Sequence, residues 1–571
     1  MRVTWAGGIR PCCEPSAAVV DAMMHPAELF LSRSLLGLVP CRHEGQDAVA
    51  VAALDDAAVL VLDARGLLLL THHARRIDRV MVCDDAKAVQ RWLLVRGIDI
   101  ARPLCVQTVS ALVRGEPWSP TDAITLPGSD TALDTARHLV RGVDALLARL
   151  DGSGQKKVAR LECLVTRAFA ALEHRGLPID VGLWRQLVAD DKARMQAARE
   201  QVFALAGDHV PRDLFGVPDI NLDAELEVKA LIKRATGVTL ESSGKQHLAA
   251  IGHPLADALV AYREPWKIVS TYGDSFVEHV ADVRADGDGR KMGRIRSTFV
   301  PLGASTGRVA CREPNLQNLP KDARFHEALR APAGRLLVTA DYAACELRIV
   351  AELAEDPVFL AAFDRGEDLH STVASSLFGV PVSKTVNPEL RHRAKAINFG
   401  LVYGMGPGAL ASSLGVERGT GEDLMARYFK TFPRIRDYLD GSVETAMRRG
   451  YSETVLGRRL TFDPAALRAD NARGELSRIM KNMPIQGTSA DMTKLAMVRI
   501  HETLTQRMRA GGLGDAGIVN TVHDELVVEC DAADGDVVAA VVGEEMSEAH
   551  RALLRRVPPS VEVHLGPTWH H

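Results

Sequence analysis

The sequence predicts a multidomain chain of the α/β and α+β class. Three observations predict it. Its 571 residues are enough for about three or four compact units. Short apolar runs bounded by Asp, Gly or Pro alternate with long stretches of helical spacing. The run Asp151-Gly152-Ser153-Gly154 reads as a boundary between a small N-terminal α/β unit and a larger, mostly helical remainder.

Composition narrows the class. Apolar content of 47% and charged content of 25% suit a globular protein. The best membrane candidate, Val49–Leu70, is interrupted by Asp55, Asp56, Asp63 and Arg65, so no membrane span is expected. The N-terminus shows no signal-peptide pattern. Nine cysteines, scattered singly apart from Cys12-Cys13, lack metal-ligand spacing and predict reduced thiols in a cytoplasm. A net charge of −4 requires that any phosphate-binding surface be local.

Residues 1–150 read as the α/β unit. Ala48–Leu54, Ala58–Leu62 and Leu67–Leu70 are its short strands, Lys87–Arg96 a helix, and Thr131–Leu150 a longer amphipathic one. Further helices follow at Lys156–His174 and at Val181–Ala206, the latter with Asp180 as N-cap. Residues 221–282 continue mainly helical, and Asp286-Gly287-Asp288-Gly289 makes a turn. Pro314–Pro320, with two prolines and three amides in seven residues, suits neither helix nor strand. Leu336–Ala340 is an apolar strand that ends on Asp341-Tyr342, and a carboxylate there is costly unless paired or bound to metal. Helices fill 355–380 and 388–404, Tyr451–Phe462 reads as a hairpin, and Pro484 separates two helices, Ala472–Met483 and Ser489–Met508. Two β-rich runs flank His523-Asp524-Glu525 as a hairpin with acids at its tip, and Ser560–Leu565 is the last strand.

One stretch, RHRAKAINFGLVYG (391–404), organises the rest. Arg391, Lys395, Phe399 and Tyr403 recur at four-residue intervals. Each step drifts by about 40° on a helix, so the four share one slowly rotating face about 18 Å long. Two cations suit a polyphosphate and two rings suit a base. An amphipathic surface helix would have the same spacing. Asp341 and Asp524, at two separate strand ends, supply what two hard cations would need, and such a pair serves in-line displacement at phosphorus.

With these residues the chain resembles the family A DNA polymerases, of the bacterial DNA polymerase I type. The blocks STGRVACREPNLQNLP (305–320), DYAACELR (341–348), RHRAKAINFGLVYG (391–404) and VHDELVVE (522–529) carry the resemblance. DLHSTVASSLFG (368–379), GYSETVLGRRL (450–460) and NMPIQGTSAD (482–491) support it. It covers roughly 156–571.

The resemblance implies a right-hand polymerase, with palm at 291–350 and 480–571, thumb at 180–290 and fingers at 351–479. Asp341 and Asp524 would ligate two magnesium ions with the Tyr342 backbone carbonyl, and Glu525 would support them. Arg391, Lys395 and His370 would bind the triphosphate of a dNTP, with Lys395 the acid for the leaving pyrophosphate. Phe399 would pack on the new nucleotide, Tyr403 would stack at the template position, and Glu346 would exclude a ribose 2′-OH. Arg308, Asn315, Gln317, Asn482 and Gln486 would contact primer–template DNA, with His523 near the primer end. A monomer in a bacterial cytoplasm or nucleoid, or in a phage-infected cell, is implied.

Departures are visible. Ala343-Ala344 stand where the family commonly has Ser-Gln, and Phe399 is the variant associated with discrimination against dideoxynucleotides. A 5′-nuclease domain has no counterpart in the sequence. The N-terminal unit takes the place of a 3′–5′ exonuclease, but the family's opening Asp-x-Glu is not evident, and Asp63-Ala64-Arg65 is the nearest pattern. Ala88-Val89 replace Tyr-Asp, and Asp130 stands for the Tyr before Asp134. The unit therefore reads as degenerate and inactive, with Asp63, Asp84, Asp85 and Asp134 as solvated surface acids. The alternatives are an active exonuclease, a phage-type single-subunit RNA polymerase, and a non-catalytic DNA-binding scaffold. Glu346 and Asp524-Glu525 favour DNA synthesis over the second.

Overall fold

The computed structural model describes residues 35–43, 46–53, 59–62, 80–95, 98–115, 129–320, 322–468 and 473–570. Their contacts form two compact units. The first comprises the described residues of Met1–Arg175 with Thr298–Arg312 and Val338–Leu565; the second comprises Gly176–Ser297, Glu313–Leu337 and the described residues of Gly566–His571.

The first unit opens with a sheet of β1 (Leu35–His43), β2 (Gln46–Ala53), β3 (Val59–Leu62), β4 (Val80–Cys83) and β5 (Pro103–Cys105), in the order β3-β2-β1-β4-β5. The first three pair antiparallel, while β4 and β5 run parallel to β1. Alternation along β2 sorts the faces. Val49 and Val51 pack with Leu36, Leu38 and residues of α1 (Ala86–Leu94) and α2 (Val106–Arg114). Ala48, Ala50 and Cys41 pack with Ala132, Ala136 and Val140 of α3 (Ser129–Ser153).

Sequence reading missed β1, because Gly37 and Pro40 break its pattern. Both have structural reasons. A Cβ on Gly37 would meet the Ala136 carbonyl at 2.6 Å, so α3 can lie this close only on a glycine. β4 reaches only Leu35–Gly37, so beyond that point β1 pairs with β2 alone and a proline is tolerated. The expected strand Leu67–Leu70 and Asp63 lie outside the described residues. Asp85 corrects an expectation: it is 8% exposed and caps α1 by accepting from Ala88 N–H at 3.0 Å. Asp84, exposed, accepts from Gln107 at 2.7 Å, and exposed Asp134 pairs with Arg137 at 3.2 Å. Helix α3 runs through Asp151-Gly152-Ser153, and Gly154, at φ +72°, turns the chain into α4 (Lys156–Arg175).

The second unit holds a sheet of β6 (Leu177–Asp180), β7 (Val280–Ala285) and β8 (Lys291–Ile295), in the order β6-β8-β7. The expected cap of α5 (Val181–Ala206) is present, with Asp180 accepting from Leu183 N–H at 3.0 Å. Trp184 stacks on Phe276, its Nε1 donating to the Tyr272 carbonyl at 3.0 Å near the end of α6 (Pro254–Tyr272).

The rest of the first unit carries β9 (Thr298–Val300), β10 (Ala310–Arg312), β11 (Arg335–Tyr342), α7 (Cys345–Ala354), α8 (Leu369–Phe378) and α9 (Pro388–Val402). After them come the hairpin β12 (Tyr451–Glu453) and β13 (Arg459–Thr461), α10 (Arg473–Arg509), β14 (Ala516–Val522), β15 (Glu525–Asp531), α11 (Gly535–Leu553) and β16 (Val561–Gly566). One sheet has the order β14-β15-β11-β16.

The two helices expected on either side of Pro484 are one helix, α10. Proline lacks the N–H that would bond the carbonyl four residues back. That carbonyl belongs to Met480, and the buried Ser452 hydroxyl of β12 donates to it at 3.4 Å. The break is thus mended from a neighbouring strand.

Candidate active site

β11 and β15 are neighbours in the sheet, and this brings the two aspartates together. Asp341 lies near the end of β11. Val522 pairs with Glu525, so His523 and Asp524 are the two-residue turn between β14 and β15. Burial, then the charges of Asp524, Glu525 and Glu562, push the Asp341 carboxyl up to about 7. Burial likewise raises Asp524, against the field of His523 and Arg308. Both turns use the left-handed region with residues other than glycine, Ala344 at φ +53° and His523 at φ +54°. Such backbone costs of order 1–3 kcal/mol and persists only where surrounding structure imposes it.

Tyr342 turns its side chain into the core, where its hydroxyl donates to the Met546 carbonyl at 2.8 Å. Glu346, in the first turn of α7, is clasped by Arg308. Burial raises its carboxyl and the Arg308 charge opposes this.

Three sequence blocks meet to hold Arg308. Gly307 sits at φ +82°, where a Cβ would collide with the Arg458 guanidinium at 2.7 Å. Arg458, 3% exposed, pairs with Asp491 at 2.6 Å and with Glu162. Lys494 also reaches Glu162 and donates to the Pro301 carbonyl at 2.7 Å. Thr454 donates to Asp491 at 2.7 Å. A Cβ on Gly487 would meet Thr454 at 2.6 Å and the Thr306 carbonyl at 3.0 Å. The turn at 305–308 therefore rests on a buried cluster with two charges of each sign, each hydrogen-bonded, as burial of charge demands.

The residues expected to bind the nucleotide lie on α8 and α9. The Arg391 guanidinium meets the Asp368 carboxylate at 2.7 and 2.9 Å. Lys395 is exposed on the same face. His370 is 8% exposed, its Nδ1 3.3 Å from the Asn398 amide nitrogen. Burial, with the nearby charges of Arg391 and Lys395, lowers its pKa to about 4 despite Asp368. Its ring lies 5.7 Å from Phe399, and Phe399 stacks on Tyr403 at 6.2 Å. The expected order of cations, then rings, is present, although α9 ends at Val402 and Tyr403 is its C-cap.

The remaining expected DNA contacts are dispersed. Asn482 and Gln486 lie one turn apart on α10, and the buried Asn482 Oδ1 has no hydrogen-bond partner among the described residues. His523 is exposed. Asn315 and Gln317 belong to the second unit, where Asn315 Oδ1 caps a short 3₁₀ turn by accepting from Gln317 N–H at 2.9 Å.

The sequence profile of DNA polymerase family A matches residues 184–571. The chain belongs to DNA polymerase family A. It is 34% identical over 441 residues to the thermostable DNA polymerase I of Thermus thermophilus, which covers 74% of this chain and 49% of that protein. With DNA polymerase I of Mycobacterium tuberculosis it shares 34% identity over 459 residues, 79% of this chain and 48% of the other. The chain thus spans about half the length of the curated relatives it matches. Among solved structures, the POL domain of Pol1 from M. smegmatis, in complex with DNA primer-template and dNTP, matches with a TM-score of 0.79 at 29% identity. That match covers 98% of both chains. The right-hand polymerase fold expected from sequence is therefore present.

Three further residues interact with the candidate site residues without having been assigned a role from sequence. Glu562 of β16 bears on Asp341 across the sheet, with Ala343 N–H donating to the Ser560 carbonyl at 3.1 Å beside it. Asn398 faces His370, and Asp368 holds Arg391. Asp368 did carry a local signal, an acid directly before an apolar helix. Its partner, 23 residues on, did not.

Proposed function

We propose that this chain is a DNA-directed DNA polymerase that extends a primer 3′-OH on a DNA template. The observation that carries the reading is the convergence of Asp341 and Asp524 in one sheet, in a family A chain whose helix α9 carries Arg391, Lys395 and Phe399, with Tyr403 at its C-cap. The neighbour from M. smegmatis, solved with primer-template and dNTP, supports the same substrates for this chain.

The donor set fits magnesium. Among the described residues no group of three or more His, Cys, Asp and Glu is arranged to hold an ion alone. Two carboxylates and the Tyr342 carbonyl are hard oxygen donors that leave positions for water and substrate phosphate, as magnesium requires. The charge of Asp524 raises the proton affinity of Asp341, and two like charges so placed also favour a cation between them. When bound there, two magnesium ions would activate the 3′-hydroxyl and stabilise the attacking and leaving oxygens.

The chain's own side chains do the rest. Arg391 and Lys395 neutralise the triphosphate, with Lys395 giving a proton to the departing pyrophosphate. His370, neutral at working pH, offers the phosphates a hydrogen bond. Phe399 packs on the incoming base and Tyr403 on the template position. Glu346, fixed by Arg308, fills the space of a 2′-hydroxyl. Arg308, Asn482, Gln486, His523, Asn315 and Gln317 contact the duplex.

The palm, thumb and fingers take the boundaries given above, and the chain works as a monomer in a bacterial cytoplasm. Residues 1–150 form an exonuclease-like domain without proofreading. Its described strand β1 holds no Asp or Glu, and Asp84, Asp85 and Asp134 serve local contacts. No described helix is long and apolar enough to cross a membrane.

Primer extension with each dNTP and rNTP, in magnesium, tests the reading. Incorporation of dNTPs only is expected. Equal use of rNTPs would remove the role given to Glu346 and favour an RNA polymerase.

A further inference from the structure

Arg391 is the cation nearest the start of α9, and how it is held decides what it can offer a substrate. Asp368 takes it side-on: Oδ2 accepts from Nε at 2.7 Å and Oδ1 from Nη2 at 2.9 Å. A guanidinium has five N–H groups in one rigid plane. Side-on pairing uses two of them and leaves three, both hydrogens of Nη1 and one of Nη2. Those three form the end of the fork that fits two oxygens of a phosphate.

Asp368 is itself fixed. It caps α8, with Oδ2 accepting from Ser371 N–H at 3.0 Å and from the Ser371 hydroxyl. Burial opposes its ionisation, but hydrogen bonds from Arg391 and Ser371 hold its carboxyl down to about 2, so it stays charged at any working pH. The Arg391 and Asp368 side chains keep 25% and 29% of their surface exposed, so a ligand can reach the pair. The charges of Arg391, Lys395 and Asp368 all bear on His370, so the four groups share one small space.

We infer that Asp368 is a positioning residue for the triphosphate: it grips Arg391 by one edge and thereby presents the other edge to phosphate oxygens. This rests on the polymerase reading for the identity of the substrate, but the geometry requires only a polyphosphate. A free arginine side chain would lose rotamer freedom when phosphate arrived. Here that loss is met on folding.

The test compares wild type, D368N, R391A and the double variant, with inorganic tripolyphosphate and magnesium titrated by calorimetry. Asn caps helices as well as Asp, so D368N keeps α8 and removes the ion pair. The expected result is a roughly tenfold weaker affinity in D368N, of the size lost with one charge-assisted contact. In the R391A background the same change should have little further effect, because the two residues act as one. Single-nucleotide incorporation should show the loss in KM, with kcat within about twofold. R391K, which keeps the charge without the fork, should be insensitive to D368N. Unchanged affinity in D368N, or equal losses in both backgrounds, would overturn the inference. Tighter binding would also overturn it, since Asp368 would then compete with phosphate. A wild type that binds tripolyphosphate but cannot extend a primer would sink the polymerase reading alone, and calorimetry would still decide the role of Asp368.

Discussion

His370 shows how one buried side chain ties stability to the candidate site. Its ordinary value of 6.5 is lowered to about 4. A histidine with a depressed folded pKa contributes stability that is present above its unfolded value and lost as pH falls toward the folded one. The protein should therefore lose stability between about pH 6.5 and 4 as the unfolded chain takes up a proton that the folded site refuses. His501 shifts the same way, so the informative quantity is a difference. Thermal melts across this range should show a shallower loss in His370→Gln than in wild type, and parallel curves would contradict the account. Individual roles were legible here only through residue type and order. Arg391, Lys395, Phe399 and Tyr403 could be placed because a helix makes their spacing a line. The grip of Asp368 on Arg391 and of Arg308 on Glu346 spans chain separations that carry no local pattern.

At the scale of elements, helix α10 gives the sharpest contrast between local rule and tertiary context. A proline ends a helix because a carbonyl is left unpaired and a ring crowds it. The rule was sound, and α10 continues because Ser452 reaches the Met480 carbonyl. Ser452→Ala should cost about 1 kcal/mol, the usual value of one hydrogen bond. In a Pro484→Ala background the same substitution should cost much less, since residue 484 would then supply its own N–H. Denaturant unfolding of the four proteins measures this, and equal costs would show that Ser452 acts elsewhere. Strand β1 is the opposite case, a real strand hidden by Gly37 and Pro40. Both residues answer to neighbours, α3 and the short reach of β4, that a linear pattern does not contain. The hairpin carrying Asp524 was readable because its β-rich runs alternate around a polar tip.

Across the whole molecule, the family A blocks lie far apart in sequence yet serve a few shared structures. STGR, GRR and the 482–491 block meet at Arg458 and Gly487, and the two aspartate blocks meet through β11 and β15. Their order along the chain was enough to suggest the architecture. The convergence itself needed the fold. In the N-terminal unit Asp85, Asp84 and Asp134 are spent on a cap, a glutamine and an arginine. Without dNTPs, the protein in magnesium should leave a 3′-mispaired primer intact over hours, and release abolished by changing acids within 1–150 would show that proofreading survives. The central claim, that Asp341 and Asp524 act on a nucleotide held by α9, is tested most directly by rapid single-nucleotide incorporation on a primed template. Asp524→Ala and Asp341→Ala should each lose at least about 10³-fold in rate, the order seen when electrostatic stabilisation of a transition state is removed, while Arg391→Ala should lose mainly nucleotide affinity. Extension by Asp524→Ala or Asp341→Ala at the wild-type rate would contradict the account.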